Sequence, residues 1–152
     1  MYFSTTILFS LAAATLARPL NAPRAAGSRK NVYLATCVSR GLLDTDTSSS
    51  VIYYNGPSSS SDPQDVSTVY SLSRGWEGST KRTIVDGSAF TSSIDAGAAS
   101  LPKSQIAGTG TLGREQLVCF RDGSSTFKFS EGLLGLRSTT CKAEYWCASL
   151  GV

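Results

Sequence analysis

The chain has 152 residues, about the length of one domain, and carries 14 Lys and Arg against 11 Asp and Glu, no histidine and four cysteines. Without histidine it cannot form a Ser-His or Cys-His nucleophile pair, and it cannot hold zinc or haem through imidazole. Only 16% of the residues are charged while Ser and Thr together number 40, so the polarity of the chain comes mainly from hydroxyl groups.

The first 17 residues contain no charged side chain, and the stretch from Ile7 to Leu16 is mostly apolar. Thr15 and Ala17 supply small residues at the −3 and −1 positions of a signal-peptidase site. The segment is too short to span about 30 Å of hydrocarbon, so it predicts a signal peptide over residues 1–17. We therefore expect a secreted, extracellular protein without a membrane span. A buried N-terminal helix or strand is the alternative.

Residues 18–30 (RPLNAPRAAGSRK) hold four basic residues, two prolines and no acid. Such a segment buries little apolar surface, and we expect a disordered basic arm or a pro-segment. A polybasic arm for anionic surfaces is the alternative. Residues 31–152 are expected to form a single domain with ten basic and eleven acidic residues, a net charge of −1. This charge argues against nucleic acid as a partner.

Two strands are predicted at the start of the domain. Residues 31–39 (NVYLATCVS) are rich in β-branched and aromatic residues, and residues 51–54 (VIYY) form a second apolar run. Residues 41–50 between them are polar and predict a loop. The tripeptide Asn55-Gly56-Pro57 predicts the turn that ends the second strand.

One helix is predicted over residues 63–73. Asp62 suits the N-cap position, and Pro63 suits the first helical position. Val66, Val69 and Tyr70 follow at the i, i+3, i+4 spacing of an apolar helix face. We therefore expect one amphipathic helix that packs on a sheet.

The remainder of the chain predicts further strands. Residues 82–85 and 88–94 form a predicted hairpin across an Asp86-Gly87 turn, and residues 95–101 predict a short helical turn. Further strands are predicted for residues 105–112, 115–121 and 126–129, and residues 139–150 form the closing segment. The strands 115–121 and 126–129 are expected to form a second hairpin around Asp122-Gly123. Seven to eight short strands with one helix predict a mainly β or α+β fold, a compact antiparallel sheet or sandwich.

All the cysteines follow the predicted signal, and an even number in an oxidising compartment predicts two disulfides among Cys37, Cys119, Cys141 and Cys147. If the segment from Cys141 to Cys147 is an extended strand, its sulfurs lie about 20 Å apart on one face and must bridge elsewhere. If the segment turns, a local bridge becomes possible. Because Cys37 and Cys119 both lie in strand-like apolar runs, we favour Cys37–Cys119 with Cys141–Cys147.

Paired carboxylates can hydrolyse glycosides without histidine, and the candidates are Glu77, Glu115, Asp122, Glu131 and Glu144. Nothing in their spacing singles out two that converge, so no catalytic residue is assigned. The glycine pattern of residues 108–113 lacks the helix of a dinucleotide site. Asp44 and Asp46 lack the remaining ligands of a calcium loop. We therefore expect no cofactor and no metal.

The aromatic residues are the most informative candidates for ligand contact. Their faces suit sugar rings, although a small domain also needs large side chains in its core. Adjacent residues of a strand point to opposite faces, so Tyr53-Tyr54 and Tyr145-Trp146 each place at most one ring in the core. We expect most of these rings to be core residues, and the candidate ligand contacts are Tyr54, Trp76, Glu77, Tyr145 and Trp146.

The layout of signal, short arm and cysteine-containing domain, with the segments YLATC, WEG, CFRDG and EYWC, resembles the small secreted proteins of filamentous fungi. The resemblance implies an effector or elicitor that acts by binding, and it implies no active-site residue. We therefore expect a secreted, non-enzymatic protein that binds a host, microbial or cell-wall component, either protein or carbohydrate. A small secreted hydrolase with paired carboxylates is the alternative. The near-neutral domain argues against a membrane-active toxin.

Overall fold

The structure, a computed structural model, describes residues 29–58, 62–132 and 135–150. The predicted signal peptide and the predicted arm up to residue 28 lie outside the described residues. A 3-10 helix at Ala98–Ser100 lies within the helical turn predicted for residues 95–101. The described part contains nine strands: β1 (Asn31–Arg40), β2 (Thr45–Tyr54), β3 (Asp65–Tyr70), β4 (Thr80–Val85), β5 (Ser88–Ile94), β6 (Ile106–Leu112), β7 (Glu115–Arg121), β8 (Thr126–Glu131) and β9 (Arg137–Ser149).

The strands form one antiparallel sheet in the order β3-β2-β1-β9-β7-β6-β5-β4, and β8 also pairs with β9. The two outermost strands approach each other through side chains. The hydroxyls of Ser67 and Thr83 lie 2.5 Å apart, and the Asp86 N–H donates to Asp65 Oδ2 at 2.6 Å. The sheet is therefore nearly barrel-shaped. The prediction of a β-rich antiparallel fold is confirmed, with one strand more than expected.

Among the connections at one end of this barrel, which we call the mouth, three are described along their whole length. They join β1 to β2 (41–44), β3 to β4 (71–79) and β5 to β6 (95–105). The tight turns at 86–87 and 113–114 lie at the opposite end, because successive strands run in opposite directions. From the β3–β4 connection, Trp76 packs into the barrel with its side chain fully buried.

Apolar side chains form two clusters, one on each face of the sheet. The inner cluster fills the barrel, and its largest fully buried members are Trp76, Tyr145, Phe90, Leu34 and Leu117. The second cluster lies on the other face of β1, β2, β8 and β9 and consists of Tyr33, Ala35, Cys37, Ile52, Tyr54, Phe127, Cys141 and Ala143. Tyr53 and Tyr54 belong to different clusters, so the expected alternation is confirmed, but both rings are buried.

The helix predicted over residues 63–73 is wrong, because Asp65–Tyr70 forms strand β3. This strand pairs with β2 along its length. Val66 packs against the second cluster and Val69 against the inner cluster, so the two side chains lie on opposite faces, as a strand requires. A helix would place both on one face.

The polar loop predicted over residues 41–50 is wrong beyond Asp44, because β2 begins at Thr45 and stays in register with β1 as far as Tyr54. The hydroxyl-rich part of this strand is accommodated by hydrogen bonds. The buried Ser49 hydroxyl accepts from the Arg74 N–H and donates to its carbonyl, both at 2.8 Å. These hydrogen bonds offset the free energy that is needed to remove the hydroxyl from water when the strand forms.

The hairpin of β4 and β5 is confirmed, with positive φ at both turn residues, Asp86 (47°) and Gly87 (69°). The hairpin predicted around Asp122-Gly123 is wrong. Strands β7 and β8 both run antiparallel to β9, with β7 beside its C-terminal half and β8 beside its N-terminal half. They therefore run in the same direction, as one strand interrupted at residues 122–125.

The favoured disulfide pairing is wrong: the bridges are Cys37–Cys141 and Cys119–Cys147. The segment from Cys141 to Cys147 is extended, which is the case in which each sulfur must bridge elsewhere. Glu144 is an extra residue in β9, because Leu34 pairs with Tyr145 and the next residue of β1 pairs with Ala143. This bulge reverses the alternation of β9. Cys141 therefore faces the second cluster and Cys147 the inner cluster.

Candidate functional site

Two of the candidate acids converge at the mouth of the barrel. Glu77 follows Trp76 on the β3–β4 connection, and its backbone forms a parallel bridge with Ile94. The hydroxyl of the buried Tyr145 donates a hydrogen bond to Glu77 Oε1. Beside it on β9, Glu144 Oε1 accepts a hydrogen bond from the Thr36 hydroxyl at 2.5 Å. The bulge at Glu144 thus brings a second carboxylate to the same end.

Arg121 completes this group of side chains. Its guanidinium carbon lies 5.2 Å from the centroid of the Tyr145 ring, and its Nη1 donates to the Glu144 carbonyl oxygen at 2.5 Å. No salt bridge within the described part of the chain involves Arg121 or either glutamate. We call these four residues, Glu77, Arg121, Glu144 and Tyr145, the mouth cluster.

The electrostatics of the mouth cluster centre on the Tyr145 hydroxyl. Burial is the largest influence and raises the pKa of Tyr145, and the hydrogen bond and charge of Glu77 raise it further. Glu144 acts in the same direction, while Arg121 opposes both. The hydroxyl therefore stays protonated and serves as a donor. Two carboxylates around one fixed donor have the composition of an acid–base pair.

The other candidate acids lie elsewhere. Glu115 is at the end opposite the mouth, where its carboxylate lies 2.7 Å from Lys30 Nζ and accepts from the Ser149 hydroxyl. Asp122 is buried in the interruption between β7 and β8, where its Oδ1 accepts from the Ser124 N–H at 3.1 Å. The side chain of Glu131 lies outside the described part. Neither Glu115 nor Asp122 joins the mouth cluster.

Two of the candidate aromatic contacts are closed to a ligand at the surface. Trp76 is fully buried in the inner cluster. Tyr54 is buried in the second cluster, where its ring centroid lies 5.6 Å from that of Phe127 and 6.0 Å from that of Tyr33. Together with Tyr145 they contribute to packing, in line with the expectation that most of these rings are core residues.

Trp146 lies on the outside of the barrel and is only half-buried. Its ring stacks on Phe120, with centroids 5.3 Å apart and an interplanar angle of 29°. Its Nε1–H donates to Asn31 Oδ1 at 2.9 Å, which fixes the orientation of the ring. Phe120 pairs in turn with Ile106, whose side chain is 66% exposed. The three side chains form an accessible apolar row across β6, β7 and β9.

Phe120 is a contact that the sequence reasoning missed. The segment EQLVCFR alternates, with Leu117 and Cys119 buried in the inner cluster. This alternation alone places Phe120 on the outside. What it cannot reveal is the neighbouring ring, because the pairing of β7 with β9 joins residues 26 positions apart.

The outward-facing side chains of β4 to β7 form a surface that we call the outer wall. Hydroxyls of neighbouring strands are bonded in pairs, Thr91 with Thr111 at 2.6 Å and Thr80 with Ser93 at 3.3 Å, and Thr109 lies beside Ser93. No outward position of these four strands, all of which are described, carries a carboxylate, and the one cation is that of an arginine. The full set is Thr80, Arg82, Ile84, Ala89, Thr91, Ser93, Ile106, Thr109, Thr111, Gln116, Val118 and Phe120.

The described residues contain no group of three or more Cys, Asp or Glu side chains arranged to hold a metal ion. Among them there is also no helix of the length and apolarity needed to cross a membrane. Comparison of the chain with protein families, with curated proteins and with solved structures gives no match. The mouth cluster and the outer wall are therefore the two candidate sites of the protein.

Proposed function

We propose that the protein is a secreted, non-enzymatic binding protein that engages a host, microbial or cell-wall target through the outer wall and the adjoining Trp146. The observation that carries the proposal is the stacked pair of Phe120 and Trp146, partly accessible beside a surface without carboxylates. Large aromatic side chains supply much of the free energy of binding at recognition surfaces. The two disulfides suit the oxidising surroundings of a secreted protein.

The aromatic pair is also held in place before any ligand arrives. Trp146 is oriented by its hydrogen bond to Asn31 and by its stack on Phe120. Both residues lie on strands that are paired on either side. A ring fixed in this way loses little conformational entropy on binding, which favours affinity.

The test is retention of the purified protein on whole cell-wall preparations from fungi, bacteria and plants. We expect W146A and F120A to lose retention while Y70A, which removes a partly buried ring from β3, keeps it. Thermal melts of each variant separate loss of binding from loss of fold. Equal retention of the wild type, W146A and F120A on every preparation would reject the outer wall as the binding surface.

The convergence of Glu77 and Glu144 on Tyr145 favours one second candidate, a small hydrolase that uses paired carboxylates on glycans. Its test is a panel of polysaccharides assayed for release of reducing ends. Turnover that E77Q and E144Q abolish and that E115Q retains would support it, because Glu115 lies at the opposite end of the barrel. Absence of turnover on every glycan excludes it.

A further inference from the structure

The chemistry of the outer wall narrows the class of ligand. Five of its twelve outward side chains are hydroxyls of Ser or Thr, and Gln116 adds an amide. Ser is depleted at protein–protein interfaces, and Ser, Thr and Val contribute few of the residues that dominate their affinity. A hydroxyl-rich surface beside a stacked aromatic pair is therefore better suited to a ligand that is itself rich in hydroxyls.

The charge of the outer wall points to a neutral ligand. It has no carboxylate to attract a cation, and Arg82 is its only cation, on the strand farthest from Trp146. A polyanion would require a basic surface, and its binding would weaken steeply with salt. The wall offers neither kind of charge complementarity.

The hydroxyls themselves retain hydrogen-bonding capacity. Thr91 and Thr111 are bonded to each other, and so are Thr80 and Ser93. A hydroxyl has one donor and two acceptor sites, so each pair uses one donor and one acceptor and leaves the others for a ligand. Hydroxyl pairs of this kind can donate to and accept from the hydroxyls of a sugar ring.

From this composition we infer that the outer wall binds a neutral polysaccharide, whose sugar rings contact the accessible parts of the Trp146 and Phe120 rings and whose hydroxyls bond to the Thr and Ser side chains of β4 to β6. The inference rests on the proposed function, because it names the ligand of the same surface. It concerns binding only and involves no chemical step.

The experiment is titration of the mature protein with soluble neutral oligosaccharides, those of chitin, cellulose and β-1,3-glucan, and with an acidic oligogalacturonide, by calorimetry and NMR. For at least one neutral oligosaccharide we expect W146A to weaken binding at least about 10-fold, because it removes the largest aromatic contact. The double variant T91V/T111V removes two hydroxyls at nearly constant volume and should weaken binding about 5-fold or more. The matched control is T68V, an exposed threonine of β3.

Binding that changes little between low and high salt supports a neutral ligand, whereas preference for the acidic oligomer contradicts it. If no neutral oligosaccharide binds but W146A still abolishes retention on cell walls, the polysaccharide inference fails and the binding surface stands. If W146A and F120A retain full binding to cell walls, the proposed function fails as well.

Discussion

The Tyr145 hydroxyl donates a hydrogen bond to Glu77 Oε1 and so ties the closing strand β9 to the connection between β3 and β4. The two residues are 68 positions apart in the chain. Trp76, next to Glu77, is fully buried, so the bond also holds in place the segment that covers the mouth of the barrel.

The first prediction concerns this bond. Y145F removes the donor and leaves the Glu77 carboxylate without it, which should cost about 1.5–3 kcal/mol in the free energy of unfolding, as hydrogen bonds to charged groups do. E77Q keeps an acceptor oxygen and should cost less. Urea unfolding measures both, with Y70F as the control. An unchanged midpoint for Y145F would show that the bond contributes nothing to stability.

The second prediction concerns the disulfides. Cys37–Cys141 spans 104 residues and Cys119–Cys147 spans 28, so the chain-entropy relation gives about 4.7 and about 3.6 kcal/mol respectively. Each is a large share of a net stability of roughly 5–15 kcal/mol. We expect reduction to lower the melting temperature sharply, and C37A/C141A to lower it more than C119A/C147A. Equal melting midpoints with and without reductant would refute a stabilising role for the bridges.

The third prediction concerns acid. Burial acts to raise the pKa of Asp122, but hydrogen bonds from Ser125 and Ser124 and the charge of Lys103 outweigh it and hold the pKa below its usual value. The hydrogen bond from Lys30 and that from Ser149 likewise lower the pKa of Glu115. Because these folded-state values are depressed, the stabilisation is present above about pH 4 and is lost as the pH falls through them.

We therefore expect D122N to flatten the decline of stability below about pH 4 relative to the wild type, measured by urea unfolding at stepped pH. At neutral pH, D122A should lose more stability than D122N, because the amide keeps an acceptor for the Ser124 and Ser125 N–H groups. If the stability of D122N and of the wild type declined equally at low pH, Asp122 would not be a cause of that decline.

The fourth prediction concerns alkali. Burial, with smaller effects of Tyr33 and Asp62, raises the pKa of Tyr54 to about 12, and burial also raises the pKa of Tyr53. Phenols of the unfolded chain titrate near pH ~10. The folded values are higher, so the stabilisation is complete below about pH 10 and is lost as the pH rises through them. Y54F should make this loss shallower in urea unfolding at stepped pH, and an unchanged alkaline decline would remove Tyr54 as a source of it.

The fifth prediction concerns the N-terminus. The Lys30 carbonyl accepts from the Ser149 N–H at 3.1 Å, and its ammonium lies 2.7 Å from Glu115. A chain that begins at Lys30 should have the same stability as the chain with the whole of residues 18–30. One that begins at Asn31 loses both contacts and should lose about 1–2 kcal/mol, because the ion pair is partly exposed and the hydrogen bond is a neutral one. Only the part due to the ion pair should shrink in high salt. A loss that does not change at all with salt would show that the ion pair contributes nothing.

The alternation of apolar and polar residues along the chain predicted most of the strands. For β1 and the β4–β5 hairpin, the residues of the strands and of the turn between them were sufficient. It failed for β3, where Val66, Val69 and Tyr70 also match a helix face. Only the pairing with β2 and the burial of the two valines on opposite faces favour the strand. The alternation also failed to predict residues 45–50 as part of a strand. There the buried Ser49 hydroxyl is hydrogen-bonded to a residue distant in the chain.

The candidate site was predicted in part. Glu77 and Tyr145 were singled out separately, and Glu144 was one acid among several. Their convergence depends on the bulge in β9 and on the burial of Trp76, and neither can be recognised from the order of residues in the sequence. Trp146 was predicted as a contact, but its partner Phe120 is supplied by the neighbouring strand.

The two disulfides also restrict the order in which the chain can be correctly cross-linked. Both bridges end on the final strand, so before that strand is synthesised the only available thiols are Cys37 and Cys119. In the finished barrel these two face opposite sides of the sheet. Premature oxidation of the nascent chain would therefore join a pair that the fold must later break. In an oxidising solution, a thiol–disulfide isomerase should therefore raise the yield of correctly folded protein above that obtained with an oxidant alone.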